Sequence, residues 1–445
     1  MSISIDHDDI IRYQASYDSD PVNAIKSDAI TRNGITASAL NRDQIKRFVD
    51  AYSIDVESGD ITNQKRSGRC WMFAAMNVLR LEVMKKLNIK NMELSQSYTL
   101  FWDKLEKSNF FLENILKTLD EEDGSRLVDF LLTSPIGDGG QWTMIVNLVN
   151  KYGVCPKDVY PESACSSNTM EMDKFITLKL REDACTLRKL HRENKTLDEL
   201  RKLKDGMLQE IYRILCLSLG VPPTKFTWEY VDKDGKYGVV RDITPHKFFE
   251  DYVGKKLDEY VSILNCPSPR RPLNKVFTVK FLNNVEGGEP VLYLNLPIER
   301  VKELCINQLK DNEVVWFGSD VGQFSTRDSG IMATEAFDVD KLLGVKFGMD
   351  KGERVDYGES LMTHAMVLTG VNLNAQGNPD RWKVENSWGP DVGYKGYFAM
   401  SDAWFSEFTY QAVINKKYLN KAELALLDES PIELEPWDPM GSLAL

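Results

Sequence analysis

A short stretch around Cys70 constrains the fold more than any other part of this 445-residue chain. The loop from Gln64 to Arg69 is polar and contains glycine, and it leads directly into an almost wholly apolar run. The apolar residues from Trp71 to Leu87 lie on every side of a 3.6-residue period, which is typical of a helix buried through the middle of a domain. The pattern therefore predicts a central helix with Cys70 in its first turn.

The predicted position of Cys70 favours a chemical role for its thiol. A thiolate is the nucleophilic form of cysteine, and the free N–H groups and positive dipole end of a helix N-terminus lower the pKa of a thiol. Arg66 and Arg69 add positive charge to the loop, and the Gln64 amide together with the Cys70 N–H offers two donors for an oxyanion hole. Taken alone, however, a cysteine in an apolar run is more often an inert core residue. Whether Cys70 is a nucleophile or an inert core residue therefore depends on the rest of the chain.

Two downstream segments supply the partners that a catalytic cysteine needs. His364 lies in an apolar, strand-like run, and Asn386 begins the sequence Asn-Ser-Trp-Gly. Together with Ser-Gly-Arg-Cys-Trp at 67–71, these segments resemble the three catalytic blocks of the papain-like cysteine peptidases.

The resemblance implies a role for each of five side chains. Cys70 is the nucleophile, His364 is its acid–base partner, and Gln64 is an oxyanion donor. Asn386 orients the histidine, since a neutral amide fixes an imidazole ring without adding a competing charge, and Trp388 shields that hydrogen bond from water.

Two departures from papain narrow the family. Ser67 stands where the papain pattern has a cysteine, and His364 lies far beyond the spacing of about 130 to 150 residues typical of that pattern. The sequences Asp-Gly-Gly-Gln-Trp at 138–142 and Glu-Pro-Trp-Asp-Pro-Met at 435–440 are most similar to bleomycin hydrolase and bacterial aminopeptidase C. This resemblance covers nearly the full chain, and it implies a homohexameric ring that encloses the active sites.

The same resemblance implies two elements that bind substrate. Adjacent Gly139 and Gly140 let a backbone approach an extended peptide without side chains in the way, and in the resembled family this wall pairs with the substrate main chain. The apolar segment 440–445 follows two prolines that stiffen its approach. In the resembled family this arm lies in the cleft, where the carboxylate of Leu445 meets the free α-amino group of the substrate. The residues alone also allow an ordinary turn and a frayed terminus.

The predicted fold class is α+β, a papain-like two-lobed fold with a large, mainly helical insertion. Charged, helix-periodic sequence and a hairpin pattern mark the insertion, and strand-like runs bounded by Asn, Gly and Pro mark the second lobe. The predicted parts are an N-terminal arm (1–55), a helical lobe carrying the cysteine (56–164), an insertion for oligomerisation (165–275), a β-rich lobe carrying the histidine and asparagine (276–430) and a C-terminal arm (431–445).

Composition excludes several function classes. The seven cysteines lack CxxC spacing and the four histidines are dispersed, which argues against a disulfide framework and against a metal site. A net charge of −12 disfavours nucleic-acid binding, and the basic residues between 188 and 204 are interleaved with acidic ones, as on a solvated helix face. No apolar run reaches about 18 residues, and no signal-peptide pattern is present. We therefore expect a cytoplasmic protein that needs no cofactor and contacts no membrane.

These patterns predict a cysteine aminopeptidase that removes N-terminal residues from peptides, with bleomycin-hydrolase-like amide hydrolysis as an extension of that activity. One alternative is a papain-like endopeptidase, which the C-terminal arm disfavours. Another is a catalytically silent binding protein on the same fold, which the retention of all four catalytic residue types disfavours.

Overall fold

The N-terminal segment is a series of helices that lies against the body of the protein. The computed structural model describes residues 3–444. The segment contains α1 (His7–Asp18), α2 (Val22–Asn33), α3 (Ile35–Ala39), α4 (Arg42–Ile45) and strand β1 (Ile54–Asp55). Within α1 and α2 no side chain is buried. Leu40 bridges to Phe337 and packs in a small cluster with it, which fastens the segment to the second lobe.

A helical lobe surrounds one long buried helix. The helices of this lobe are α5 (Cys70–Leu87), α6 (Gln96–Lys117), α7 (Arg126–Thr133), α8 (Trp142–Tyr152) and α9 (Ala164–Ser167). Every side chain of α5 from Cys70 to Arg80 is buried. Lys85 and Lys86 lie in its last turn, where they complement the helix dipole, and Asn88 follows in the left-handed conformation. The predicted central helix with Cys70 in its first turn is confirmed.

Two long helices and a hairpin follow the helical lobe. They are α10 (Met170–Arg192), α11 (Leu197–Leu219), β2 (Phe226–Val231), β3 (Tyr237–Ile243) and the short α12 (Pro245–Phe248), with a π-helical turn at Phe249–Val253 and a 3-10 turn at Leu257–Glu259. Both long helices pack on α6. Strands β2 and β3 pair in antiparallel register, so the predicted hairpin is confirmed.

The second lobe is built on a twelve-stranded sheet within residues 3–444. Its further strands are β4 (Tyr260–Leu264), β5 (Lys275–Val279), β6 (Tyr293–Asn295), β7 (Val315–Ser319), β8 (Ser325–Thr326), β9 (Ile331–Met332), β10 (His364–Leu373), β11 (Pro379–Glu385), β12 (Tyr397–Ser401), β13 (Thr409–Asn415) and β14 (Ile432–Leu434). The order is β14-β5-β6-β4-β13-β7-β10-β11-β12-β9-β8, and β1 adds to β10. Strand β10 therefore lies inside the sheet, antiparallel to β7 and β11.

Helices connect and cover these strands. They are α13 (Ile298–Lys310), α14 (Val339–Leu343), α15 (Lys351–Asp356), α16 (Asp402–Phe408) and α17 (Lys421–Leu427), with 3-10 turns at Thr334–Ala336, Lys416–Tyr418 and Pro439–Ala444. Among residues 3–444, no helix is long and apolar enough to cross a membrane.

The boundary of the insertion differs from the predicted range 165–275. Strand β4 lies inside that range, yet it pairs with β13 and β6 in the large sheet. A five-residue apolar run does not by itself distinguish a sheet strand from the end of a helical segment, so the pattern placed the start of the β-rich lobe too late.

The two lobes meet where α5 packs against β10 and β7. The indole N–H of Trp316 on β7 donates to the carbonyl of Trp71 at 3.1 Å. Deeper in the interface, the buried guanidinium of Arg80 contacts the buried Glu385 carboxylate at 3.1 Å. Because these contacts join the cysteine helix to the sheet, the start of α5 is fixed relative to the start of β10.

Candidate active site

Cys70 is the first residue of α5, at the end of a tightly held loop. The Arg69 side chain before it is fully buried and forms two hydrogen bonds to Glu162, at 3.1 and 2.9 Å. Its Nε also donates to the Ser67 hydroxyl at 2.9 Å. Arg69 therefore holds the loop in place, and Glu162 offsets the positive charge that we expected it to add near Cys70.

The environment of Cys70 differs from the sequence-based expectation in one respect. Burial raises the pKa of the Cys70 thiol to about 11, whereas a helix N-terminus was expected to lower it. Backbone hydrogen bonds from Ala365 and Trp71 act in the lowering direction, but the loss of solvent around a thiolate outweighs them. A stable thiolate at this position therefore needs a positive partner.

The residue directly before Ala365 is His364, the candidate for this positive partner. It is the first residue of β10, and its Nε2 lies 2.9 Å from the Oδ1 of Asn386. The backbone N–H of Ser387 donates to the same oxygen at 2.8 Å, which fixes the orientation of the amide. Because an amide oxygen only accepts, Nε2 carries the hydrogen and Nδ1 is left as the basic nitrogen.

Trp388 covers this histidine–asparagine pair. Its ring stacks on the His364 imidazole with centroids 4.8 Å apart and an angle of 28° between the planes. Arg327 lies over the same indole at 4.3 Å. Burial lowers the pKa of His364 to about 4, the hydrogen bond with Asn386 opposes that shift, and the positive Arg327 adds to it. The His364 imidazole is therefore neutral at pH 7.

Gln64 links the cysteine loop to the asparagine loop. Its side chain is buried, with Nε2 donating to the Ser67 carbonyl at 2.7 Å and Oε1 accepting from the Ser387 hydroxyl at 2.6 Å. The backbone N–H of Gln64 also donates to the Ser387 carbonyl at 2.8 Å. An amide nitrogen has two hydrogens, so one remains for a further acceptor.

Gly139 and Gly140 lie beside the cysteine helix as a close-packed wall. A Cβ on Gly140 would lie 2.6 Å from the Trp71 ring, so a larger residue does not fit without displacing that indole. The Trp71 N–H donates to the Asp138 carbonyl at 2.7 Å, and the Lys107 ammonium contacts the Gly139 carbonyl at 2.6 Å. The wall is therefore held from the helical lobe on both sides.

The C-terminal arm reaches the same region. Met440 and Leu443 are buried, and the Ser442 hydroxyl donates to the Met362 carbonyl at 2.9 Å, two residues before His364. The sequence-predicted residue Leu445 lies outside the described residues.

A model of the Peptidase C1-like family matches residues 4–441, nearly the whole chain. The chain belongs to this family.

Individual relatives of this Peptidase C1-like chain agree with the family match. It is 49% identical to aminopeptidase C of Streptococcus thermophilus, with 97% of each chain covered. It is 43% identical to bleomycin hydrolase of Homo sapiens, with 96% of each chain covered. Among solved structures, that of pepw from Lactobacillus rhamnosis HN001 matches with a TM-score of 0.97 and 50% identity over 99% of each chain. The predicted α+β papain-like fold, the predicted family and the prediction of a cysteine aminopeptidase are confirmed.

A buried charge cluster that sequence reasoning missed supports the site of this Peptidase C1-like protein. Asp138 accepts from the Gly68 N–H at 2.7 Å and contacts the buried Lys104 ammonium at 2.7 Å. Asp173 contacts Lys104 at 2.9 Å. Burial alone would raise the pKa of Asp138, but Lys104 holds it well below its usual range. Burial raises the pKa of Asp173 to about 7, because Lys104 only partly opposes it and Asp138 adds negative charge.

The glycine motif at 138–142 was the signal that could have drawn attention to Asp138. Lys104 and Lys107 could not be recognised as buried from the sequence, because they resemble ordinary polar positions of an amphipathic helix. Among residues 3–444, no group of three or more His, Cys, Asp or Glu side chains is arranged to hold a metal ion.

Proposed function

We propose that this cysteine aminopeptidase removes single residues from peptides with a free amino terminus, with Cys70, His364, Asn386 and Gln64 as its catalytic residues. The observation that carries the proposal is the docking of the C-terminal arm beside the histidine strand, through the contact between Ser442 and Met362. An arm in this position closes one end of a cleft, and a closed end limits how far a substrate extends past the scissile bond.

The reaction begins with attack by Cys70 on the scissile carbonyl carbon. His364 accepts the thiol proton as the new C–S bond forms, and it then gives that proton to the leaving amine as the C–N bond breaks. Water, deprotonated by His364, then attacks the thioester carbonyl, the C–S bond breaks to release the N-terminal residue, and His364 returns the proton to the Cys70 sulfur. Burial disfavours the Cys70 thiolate and the His364 imidazolium when either charge forms alone. When the proton passes from Cys70 to His364, the two opposite charges form together and stabilise each other.

Gln64 and the backbone N–H of Cys70 stabilise the oxyanion of the tetrahedral intermediates. Gln64 suits this role because its side chain is already fixed by Ser67 and Ser387, which removes the need for reorganisation during the reaction. Asn386 keeps the hydrogen on Nε2 of His364, and Trp388 excludes water from that contact.

Substrate selection uses the main chain and the amino terminus of the bound peptide. Gly139 and Gly140 pair with the substrate main chain, and the carboxylate of Leu445 binds the substrate α-ammonium group. A hydrogen bond between two charged groups contributes about 1.5 to 3 kcal/mol, which is enough to discriminate against a blocked amino terminus. The relation to human bleomycin hydrolase extends the proposal to amide bonds in bleomycin-like compounds.

Paired substrates test this function. Wild-type protein should hydrolyse a fluorogenic aminoacyl amide with a free amino group at a kcat/KM at least about tenfold above that of its N-acetyl counterpart. A protein that prefers the N-acetyl substrate, or that cleaves internal bonds of long peptides at a similar rate, would be an endopeptidase instead. No turnover of any peptide would favour the binding protein.

We further propose that the protein is a cytoplasmic homohexamer. The seven cysteines, all within residues 3–444, are free thiols, as in a reducing compartment. Exposed apolar side chains occur on the N-terminal helices, at Ile11 and Tyr13, and on α10, at Phe175 and Leu178. Subunit contacts would cover them. Light scattering after size exclusion should give six times the 50.8 kDa of one chain, and a monomer at micromolar concentration would contradict this.

A further inference from the structure

The C-terminal arm is held at its root by a buried arginine from the second lobe. Arg271 lies between β4 and β5 and is almost fully buried, with 1% of its side chain exposed. Its Nη1 contacts the Asp438 carboxylate at 2.9 Å, its Nη2 contacts Asp356, and its Nε lies 3.3 Å from the sulfur of Cys266. Of these three partners, Asp438 belongs to the arm.

Asp438 sets the start of the last turn of the arm. Its Oδ1 accepts from the Met440 N–H at 2.9 Å, and its carbonyl accepts from the Gly441 N–H at 3.0 Å. Its Oδ2 is the oxygen that binds Arg271. The Asp438 carboxylate therefore joins the buried guanidinium to the Met440 N–H, the first N–H group of the turn at Pro439–Ala444, and this fixes the direction in which the turn leaves the body.

Within this turn, the contacts lead toward the histidine strand. The Tyr293 hydroxyl donates to the Met440 carbonyl at 3.2 Å, and Ser442 donates to Met362. Leu443 packs near Gly318, where an added Cβ would lie 3.6 Å from the leucine side chain. Gly318 is the sheet partner of Ala365, next to His364. Leu443 therefore lies beside the strand that carries His364, and the path of the turn starts at Asp438.

We propose that Arg271 is a positioning residue for substrate selection, which acts by holding Asp438 and so aiming the C-terminal arm at the cleft. The inference rests on the proposed role of the arm as the selector of free amino termini. Arginine suits the position because its planar fork binds two carboxylates at once, whereas a lysine ammonium lacks that geometry. Arg271 acts through the arm, and its side-chain partners are Cys266, Asp356 and Asp438.

The two carboxylate partners of Arg271 provide a matched pair of variants. Asp438→Asn removes the ion pair to the arm, while the amide oxygen can still accept from the Met440 N–H. Asp356→Asn removes the other ion pair and leaves the arm untouched. Both replacements keep the side-chain size, and neither requires the larger disruption of removing the buried arginine itself.

The measurement is the ratio of kcat/KM for a free aminoacyl amide to that for its N-acetyl counterpart. Asp438→Asn should lower this ratio about tenfold or more, as expected when a charge-assisted contact that aims the arm is lost, and Asp356→Asn should change it less than about twofold. Arg271→Lys should fall between the wild type and Asp438→Asn. Equal changes in the two asparagine variants, an unchanged ratio in Asp438→Asn, or an equal loss of activity on both substrates would overturn the proposal.

Deletion of residues 440–445 separates this inference from the function on which it rests. If the deletion lowers the ratio and Asp438→Asn does not, the arm selects substrates but Arg271 does not aim it. If the deletion leaves the ratio unchanged, the arm has no selecting role and both proposals fail. In the deletion background, Asp438→Asn should have no further effect on the ratio, and an additional decrease would contradict positioning through the arm.

Discussion

The proposed catalytic centre and the last turn of the C-terminal arm are neighbours that are held by different kinds of contact. Cys70 begins a buried helix and His364 begins a strand inside the sheet, so backbone hydrogen bonds and core packing fix both. The arm includes β14, which pairs with β5, but its last turn at Pro439–Ala444 is held by side chains. These are Asp438 and Arg271 at its root, Ser442 near its end, and the buried Met440 and Leu443. The comparison teaches that the chemistry and the selection of substrate should be separable by mutation.

The energies of the two regions support this separation. Core burial of α5 involves many large side chains, each contributing about 1.5 to 3 kcal/mol when fully buried. The last turn of the arm has a few hydrogen bonds of about 0.5 to 1.5 kcal/mol each, one ion pair and two buried side chains, Met440 and Leu443. Displacing this turn should therefore cost less global stability than disrupting α5, and it should leave in place the backbone and core packing that fix Cys70 and His364.

The largest effect is expected at Cys70, the proposed nucleophile. Cys70→Ser should lower kcat by more than about a thousandfold, because a hydroxyl without a strong base is a far weaker nucleophile than a thiolate. Thermal unfolding should remain close to that of the wild type. Cys185→Ser, at an exposed position on α10, is the control and should retain full activity. Substantial turnover by Cys70→Ser would refute the assignment.

A smaller effect is expected at Gln64, the proposed oxyanion donor. Gln64→Ala should lower kcat about 100- to 1000-fold with little change in KM, the usual result of losing one donor to the transition state. Ser387→Ala keeps the donor but removes the hydroxyl that holds its Oε1, so it should give a weaker decrease in kcat. A change confined to KM in Gln64→Ala would make this residue a substrate-binding group.

The charge cluster of Asp138, Lys104 and Asp173, which contacts the cysteine loop at Gly68, should make the stability of the protein depend on pH. The folded protein keeps a proton on Asp173 up to about pH 7, whereas an unfolded aspartate releases it near pH 3.8. The folded state therefore binds more protons in this window, and the stability of the wild type should fall as pH rises through it, by up to about 4 kcal/mol. Asp173→Asn removes the titration, so urea unfolding at pH 5 and pH 8 should show the variant gaining stability relative to the wild type. A difference between the two proteins that is independent of pH would contradict the raised pKa.

Much of the fold could be predicted from the sequence because its signals are local, and the proposed catalytic residues were chosen from local motifs as well. The apolar run after Cys70 defined the central helix, and the strand-like run at His364 defined β10. Ion pairs between distant segments leave no such pattern. Arg271 and Asp438 are far apart in the chain, and nothing in their immediate neighbours indicates that they meet.

The pKa of Cys70 shows a second limit of sequence reasoning. A helix N-terminus was visible in the sequence, but the depth of burial that outweighs it arises only when the sheet covers the thiol. The start of the β-rich lobe was misplaced for a similar reason, since β4 becomes a strand through its pairing with β13. Long-range packing determines both features.

The most direct test of whether catalysis and substrate selection are separable uses one variant and two measurements. In the protein lacking residues 440–445, the rate of Cys70 alkylation by iodoacetamide and the kcat/KM ratio for free and N-acetyl substrates are measured together. We expect alkylation to stay within about twofold of the wild type, while the ratio falls about tenfold or more because the amino-terminus contact is lost. An alkylation rate that changes as much as the ratio would show that the arm supports the catalytic centre itself, and an unchanged ratio would show that it does not select substrates.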